Sequence, residues 1–261
     1  MIRFFKEKDK DGVISLWQEA FGDKKEEITA FIDFFGDSLL VFEKDGRVIS
    51  MLTLIKTSAG SELGRYIYAV ATDKKFRGMG FASRLIDFAK RYISDNTEKF
   101  LVLVPQENSL FDFYEKHGFY EICCCKKIEK KIEIEQNFDI KAEIIGEKEY
   151  FSFRKAYFSS EKYVIWNIKM LEFMKNAYKG NFFALRKNNV LCGTGFCYKM
   201  GDTLVISELL HTGNADASIN ALGTFFGGKK AFCIKAQKRG EKFAMIYPKE
   251  FRDIYFGLAM K

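Results

Sequence analysis

The 261-residue sequence predicts an α/β (α+β) fold arranged as two successive lobes. Three observations predict it. Apolar residues recur at helical spacing in some segments and form short strand-like runs in others. A basic, glycine-rich turn, "DKKFRGMGFAS", joins a strand to a helix. The stretch "KFLVLVPQENSLFDFYEKHGF" is echoed late in the chain by "KFAMIYPKEFRDIYFGL", as an internal duplication would leave it.

The first 36 residues read as two helices. One carries Val13, Leu16, Trp17 and Ala20; the other carries Ile28, Phe31, Ile32 and Phe35. "LLVFEKDGRVISMLTLI" gives strand, Asp-Gly turn and strand, and "RYIYAVAT" a third strand. A helix from about Gly80 places Phe81, Ala82, Leu85, Ile86 and Ala89 on one face. "KFLVLVP" is a buried strand stopped by Pro105, and "NSLFDFYEKHGF" a short helix ending at Gly118. "YEICCCKKIEKKIEIE" is a long alternating strand whose charged end leads into a linker, so the lobes are expected at 1–136 and 137–261.

The second lobe opens on helices again. One carries Tyr163, Trp166, Met170, Phe173, Met174 and Ala177, with Gly180 as its C-cap. "FFALRKNNVLCGTGFCY" repeats the strand–turn–strand, and "TLVISELLHT" stands where "RYIYAVAT" stood. A helix follows at about 215–226, whereas "KKAFCIKAQ" has no counterpart in the first half. The second copy has "GNADASINALG" in place of the basic glycine-rich loop.

Composition narrows the function classes. The net charge is +7, but acidic residues are interleaved with basic ones nearly everywhere, so a nucleic-acid partner is not expected. No apolar run approaches the roughly 18 residues that span a bilayer, and "MIRFFKEKDKDG" lacks the apolar core of a signal peptide. A cytoplasmic protein without a membrane partner is expected. The six cysteines form no CxxC pair and only two histidines are present, so reduced thiols and no metal are expected.

The glycine-rich turn carries the chemistry. Amides at a helix start lack partners, the helix dipole adds partial positive charge, and glycine admits close approach of an anion to the backbone. Lys74, Lys75 and Arg77 add full charges. The spacing is neither GxGxxG with a downstream ribose-binding acid nor a P-loop, which leaves a pyrophosphate held through amides.

"VATDKKFRGMGFASRL" resembles the coenzyme A loop of the GNAT superfamily of acyl-CoA-dependent N-acyltransferases, with Arg77, Gly80 and Ala82 at its signature positions. "NSLFDFYEKHGF" resembles the second signature of that family, and the likeness covers about residues 1–128. The opening "LWQEAFGD" with "YIYAVAT", followed by a second lobe, resembles the enhanced-intracellular-survival type of acetyltransferase, whose third domain has no room in 261 residues. The resemblance implies a mixed, mostly antiparallel sheet flanked by helices, followed by a degenerate, truncated GNAT-like lobe. It implies acetyl-CoA as cosubstrate and a small-molecule or peptide amine as acceptor. The backbone of Val70, Ala71 and Thr72 would bond the pantetheine arm. Arg77 and the amides of Gly78, Met79, Gly80, Phe81, Ala82 and Ser83 would hold the pyrophosphate. Asn108 would cap its helix or bond the pantetheine, and Tyr114 would protonate the leaving thiolate or, sharing a helical face with Leu110, Phe113 and His117, belong to the core. No carboxylate stands on "RYIY", and Glu62 and Glu208 are weak candidates for a base. His117 and His211 read as structural. The alternative function is an acyl-CoA-binding sensor. Acceptor, acyl-chain preference and oligomeric state are not legible.

Overall fold

The computed structural model describes residues 1–133, 139–158, 162–237 and 239–259. In chain order the first half runs β1 (Ile2–Phe4), α1 (Lys10–Phe21), α2 (Lys25–Phe35), β2 (Leu39–Lys44), β3 (Arg47–Ala59), β4 (Glu62–Thr72), α3 (Phe81–Asp95), β5 (Phe100–Leu103), α4 (Ser109–Lys116) and β6 (Tyr120–Lys131). The second half runs β7 (Ile140–Ile145), α5 (Glu147–Tyr157), β8 (Val164–Trp166), α6 (Ile168–Ala177), β9 (Asn181–Lys187), β10 (Val190–Met200), β11 (Thr203–His211), α7 (Ala215–Phe226), β12 (Lys230–Gln237) and β13 (Glu241–Tyr247).

These elements form two compact units. The first holds Met1–Ile122, Val164–Asn167 and Ala244–Asp253; the second holds the described residues of Cys123–Tyr163, Ile168–Phe243 and Ile254–Lys261. The expected boundary at 136/137 lies outside the described residues. The units interleave in sequence because each completes its sheet with a strand from the other half of the chain. In the first unit the order is β1-β2-β3-β4-β5, and residues 244–247 of β13 pair antiparallel with β5, Met245 opposite Leu103. In the second it is β7-β9-β10-β11-β12, and β6 pairs antiparallel with β12, Lys131 opposite Lys230. Each sheet has one parallel strand pair at the same place, β4 with β5 and β11 with β12, and the other described strand pairs are antiparallel, apart from the isolated parallel bridge Tyr163–Tyr255.

Two sequence expectations change here. "KKAFCIKAQ", expected to lack a counterpart, is β12 and holds in its sheet the place that β5 holds in the first. "KFAMIYP" echoes "KFLVLVP" but pairs beside it instead of repeating its place. Both are short apolar strands buried on two faces and ended by proline, so their patterns coincide. Among the described residues after Pro248, the one helical element is the 3-10 turn Lys249–Phe251.

Local chemistry explains the other differences. Ile2–Phe4, read as part of the helical start, is a strand paired with β2. Tyr163 and Trp166 are not helical. Val164, Ile165 and Trp166 are β-branched or aromatic and extend antiparallel to Ala59, Ser58 and Thr57, with the Thr57 hydroxyl donating to the Ile165 carbonyl at 2.8 Å. At the end of α6 the left-handed residue is Lys179 (φ 48°), not Gly180. Gly180 is small because a Cβ there would meet the Phe196 ring at 2.3 Å.

Each unit has its own apolar core. The first centres on Leu40, Leu52, Leu54, Ile67, Leu85, Ile86, Leu101 and Met245, and the second on Phe183, Leu185, Leu204, Ile206, Ile219 and Leu222. The second also buries an ion pair. Arg154 Nε and Nη2 donate to the Glu208 carboxylate at 3.1 Å each, and the Tyr150 hydroxyl donates to it as well. Glu208 is therefore committed to packing. Glu208→Leu strands the buried guanidinium and is expected to destabilise by about 3–5 kcal/mol, while adding Arg154→Met recovers most of the loss. Urea titration followed by circular dichroism measures both.

Candidate active site

β4 and β5 run side by side only from Gly64 opposite Phe100 to Ile67 opposite Leu103. β5 then ends and β4 continues to Thr72, so among the described residues no strand pairs with residues 69–72 on that side. A bulge marks the parting. Met51 faces Ala71 and Thr53 faces Tyr68, which leaves Ala69 and Val70 opposite Leu52 alone. Ala69 takes φ 52°, a left-handed conformation that costs an alanine about 1 kcal/mol or more. The freed strand is held on its other side. Ser50 Oγ donates to the Ala71 carbonyl at 2.8 Å and lies 2.8 Å from Thr72 Oγ1.

The turn follows directly. The Asp73 carboxylate accepts the Lys75 amide at 2.8 Å and starts the 3-10 turn Lys74–Phe76. Arg77 Nε donates to the Thr72 carbonyl at 3.0 Å, so the arginine also staples the loop to the strand end. Gly78 and Gly80 have φ 76° and 78°. A Cβ on either would meet nothing within 4 Å; backbone conformation, not crowding, requires glycine, and the space beside both is open. The first intrahelical bond of α3 is Arg84 N–H to Gly80 C=O at 3.0 Å, so the amides of Phe81, Ala82 and Ser83 have no carbonyl within the helix. Phe81 anchors the helix start against Phe42 and Phe76, with ring centroids 4.8 and 5.9 Å away.

Between the freed strand, the loop and α4 lies a cleft of about 480 Å³. Val70, Ala71, Thr72, Arg77, Gly78, Gly80, Phe81, Ala82, Ser83 and Tyr114 are brought together on its wall. Met79 is exposed and Asn108 is not on the wall; the Asn108 side chain makes no capping bond to α4 either. Phe76, Leu110 and Phe113 also line the cleft, and none of the three stands among the site residues expected from the sequence. Phe76 stands in the 3-10 turn before the loop, whereas Leu110 and Phe113 share a helical face with Tyr114, a spacing that also fits a core face. Tyr114 is both. Its ring packs with Phe113 and Phe119, centroids 5.1 and 5.6 Å away, and burial pushes its phenol well above the ordinary value. Glu62 is no part of this site: it opens β4, ten residues before Thr72, a strand length of about 33 Å. Among the lining residues there is no carboxylate and no histidine.

The family model described as an acetyltransferase (GNAT) domain matches residues 1–123, the segment that builds this cleft. Residues 1–123 are a GNAT domain. Solved structures extend the likeness in fold. A protein from Enterococcus faecalis V583, described as a probable N-acyltransferase, superposes with a TM-score of 0.68 at 13% identity, over 94% of this chain and 72% of that one. A GCN5-related N-acetyltransferase from Kribbella flavida gives 0.67 at 14%, over 94% and 70%. Eis1 from Mycobacterium abscessus gives 0.55 at 10%, over 94% and 73%. Among curated proteins no sequence matches the chain.

The second unit has the GNAT strand order but a different helix start. Asn214 Oδ1 accepts the amides of Asp216 and Ala217 at 2.8 and 3.4 Å, and Asp216 adds negative charge to the first turn. The groups left open in the GNAT domain are filled here by the chain itself. Gly80→Ala should cost about 1 kcal/mol of stability through φ alone. Gly80→Glu should in addition abolish coenzyme A binding, since its carboxylate enters the open space beside the amides. Calorimetry on the folded variants separates the two effects; unchanged coenzyme A affinity in Gly80→Glu would remove the loop from the site.

Proposed function

We propose that this chain is an N-acetyltransferase that moves an acetyl group from acetyl-CoA to a primary amine. The observation that carries the reading is the pairing of a strand edge freed by the bulge with a helix start whose amides are open. The first suits the amide groups of a pantetheine arm, which would bond Val70, Ala71 and Thr72 as an added strand does. The second, with Arg77 and the space beside Gly78 and Gly80, suits a diphosphate. In this reading the acceptor nitrogen attacks the thioester carbonyl carbon, the carbon–sulfur bond breaks, and Tyr114 gives its proton to the departing thiolate. The phenol is then restored from solvent. Burial keeps that phenol protonated, so the falling alkaline limb expected of a tyrosine near 10 is displaced upward, out of the working range.

The lining residues offer no base, so the amine is proposed to lose its proton to water. The same observation favours, as a second reading, an acyl-CoA-binding sensor with little turnover. Release of free thiol from acetyl-CoA across a panel of amines distinguishes the two; binding without thiol release for any amine leaves the sensor. The composition suits a cytoplasmic setting.

With an accepted amine, kcat/KM should rise about tenfold per pH unit until the amine's own pKa, near 10 for an alkylamine, because only the neutral form attacks. A plateau near pH 7 would reveal a protein base. Tyr114→Phe should lower kcat by roughly 10²–10⁴-fold and leave coenzyme A affinity unchanged, since only the hydroxyl is lost. Near wild-type kcat would assign the ring to packing alone. Titration should give one coenzyme A per chain, with the second helix start filled by Asn214.

A further inference from the structure

His117 follows α4 and turns its ring onto the start of α3. Its Nε2 lies 3.0 Å from Ser83 Oγ, and its Nδ1 lies 3.8 Å from an oxygen of Asp87. The ring meets Phe113 edge-on at 4.9 Å, and the His117 carbonyl accepts the Lys90 ammonium. The charged groups facing the ring are therefore Asp87 and Lys90, both from α3, while α4 presents Phe113. Ser83 lines the cleft and is the third of the helix-start amides without a helical carbonyl.

We propose that His117 is a positioning residue that couples uptake of one proton to binding of the coenzyme diphosphate at Ser83. The inference rests on the coenzyme reading above. When the imidazole is neutral with its proton on Nδ1, facing Asp87, Nε2 accepts the Ser83 hydroxyl proton. The hydroxyl then cannot donate into the cleft. When the imidazole takes a second proton on Nε2, it donates to Ser83 Oγ instead. The hydroxyl proton is released toward an anion at the helix start, and the new positive charge lies one hydroxyl away from it. No covalent bond changes; one proton comes from solvent.

The electrostatics set the sign. Burial and then Lys90 hold His117 below its ordinary value, against an opposing pull from Asp87, so the ring is neutral at pH 7 without ligand. A bound anion favours the charged form. The pKa of His117 is then higher in the complex than in the free protein, and affinity rises as pH falls through that interval. Each unit of difference is a factor of about ten in affinity.

Dephospho-coenzyme A is the suitable probe, because its diphosphate carries no group that titrates in this range, whereas the 3′-phosphate of coenzyme A does. By calorimetry its Kd should tighten about tenfold between about pH 8 and about pH 5.5. His117→Gln and Ser83→Ala should each flatten that dependence. The chain has two histidines, so the ring signals can be assigned by NMR with His117→Gln and His211→Gln. The His117 pKa should rise when the wild type is saturated with dephospho-coenzyme A, and stay put with pantetheine, which lacks the diphosphate. An unchanged His117 pKa, or a pH dependence that persists in both variants, overturns the proposal while leaving the coenzyme reading intact. If dephospho-coenzyme A binds the folded wild type at no pH, both fall together.

Discussion

The parting of β4 from β5 after Ile67 and Leu103 is the constraint on which the GNAT domain depends. Below it the two strands are locked together. Gly64 has no side chain because Phe100 lies across it, at 2.6 Å from where a Cβ would stand. Above it, a bulge with Ala69 at φ 52° bends β4 away, and Ser50 holds the bent strand from the β3 side. Strand edges normally need a partner. Among the described residues the missing partner is the feature that opens the cleft, and the strained Ala69 sits beside it. The same bend delivers Thr72 to the point where Arg77 can staple the loop, which in turn presents the start of α3 to the cleft.

The second unit shows that the frame alone does not make the site. Its strand order and single parallel pair repeat those of the first, with β6 in the place that the tail of β13 fills there. What differs is local. In the GNAT domain Gly80 precedes α3 in a left-handed turn that offers no cap, whereas in the second unit Asn214 precedes α7 and caps it with its own side chain. One choice leaves the helix start without a side-chain cap; the other caps it with the chain's own side chain. A buried Arg154–Glu208 pair with Tyr150 then occupies the interior of the second unit. The two units thus share one strand arrangement, but one leaves the start of its helix uncapped and the other caps it with a side chain.

The legible part of this structure was the part written locally. Helices α1 to α4 and α7, the Asp-Gly hairpin and the glycine-rich loop each carry their signal in adjacent residues, and the loop residues and Tyr114 do meet in one cleft. The exchange of β6 and β13 between sheets was not legible, because apolar strands ended by proline read alike wherever they pair. Tyr163 and Trp166 matched the helical spacing of Met170 and Phe173 by coincidence, and the strand that pairs with Val164–Trp166 lies more than a hundred positions away. Asn108 has the residue type of a cap without the bond. The contact between His117 and Ser83 joins residues 34 apart, and nothing in either neighbourhood announces it.

Tyr114 shows why core and site cannot be told apart by pattern here. Leu110, Phe113 and Tyr114 line the cleft, and the same three belong to or pack against the core of the first unit. The cleft is an opening in that core, where β5 stops short and α4 closes over the gap. A ligand seated there completes packing that the chain leaves unfinished, so binding and folding are linked: at a hundredfold excess over Kd a ligand adds about 2.7 kcal/mol to the stability of the folded state. The glycine loop stands outside this linkage on the protein side. Gly78 and Gly80 touch nothing that a side chain would displace, so their conformation serves the open face of the loop and not the core. The end of the cleft at Leu110, Phe113 and Tyr114 is therefore constrained by the stability of the core, and the end at Gly78 and Gly80 by the shape of the backbone alone.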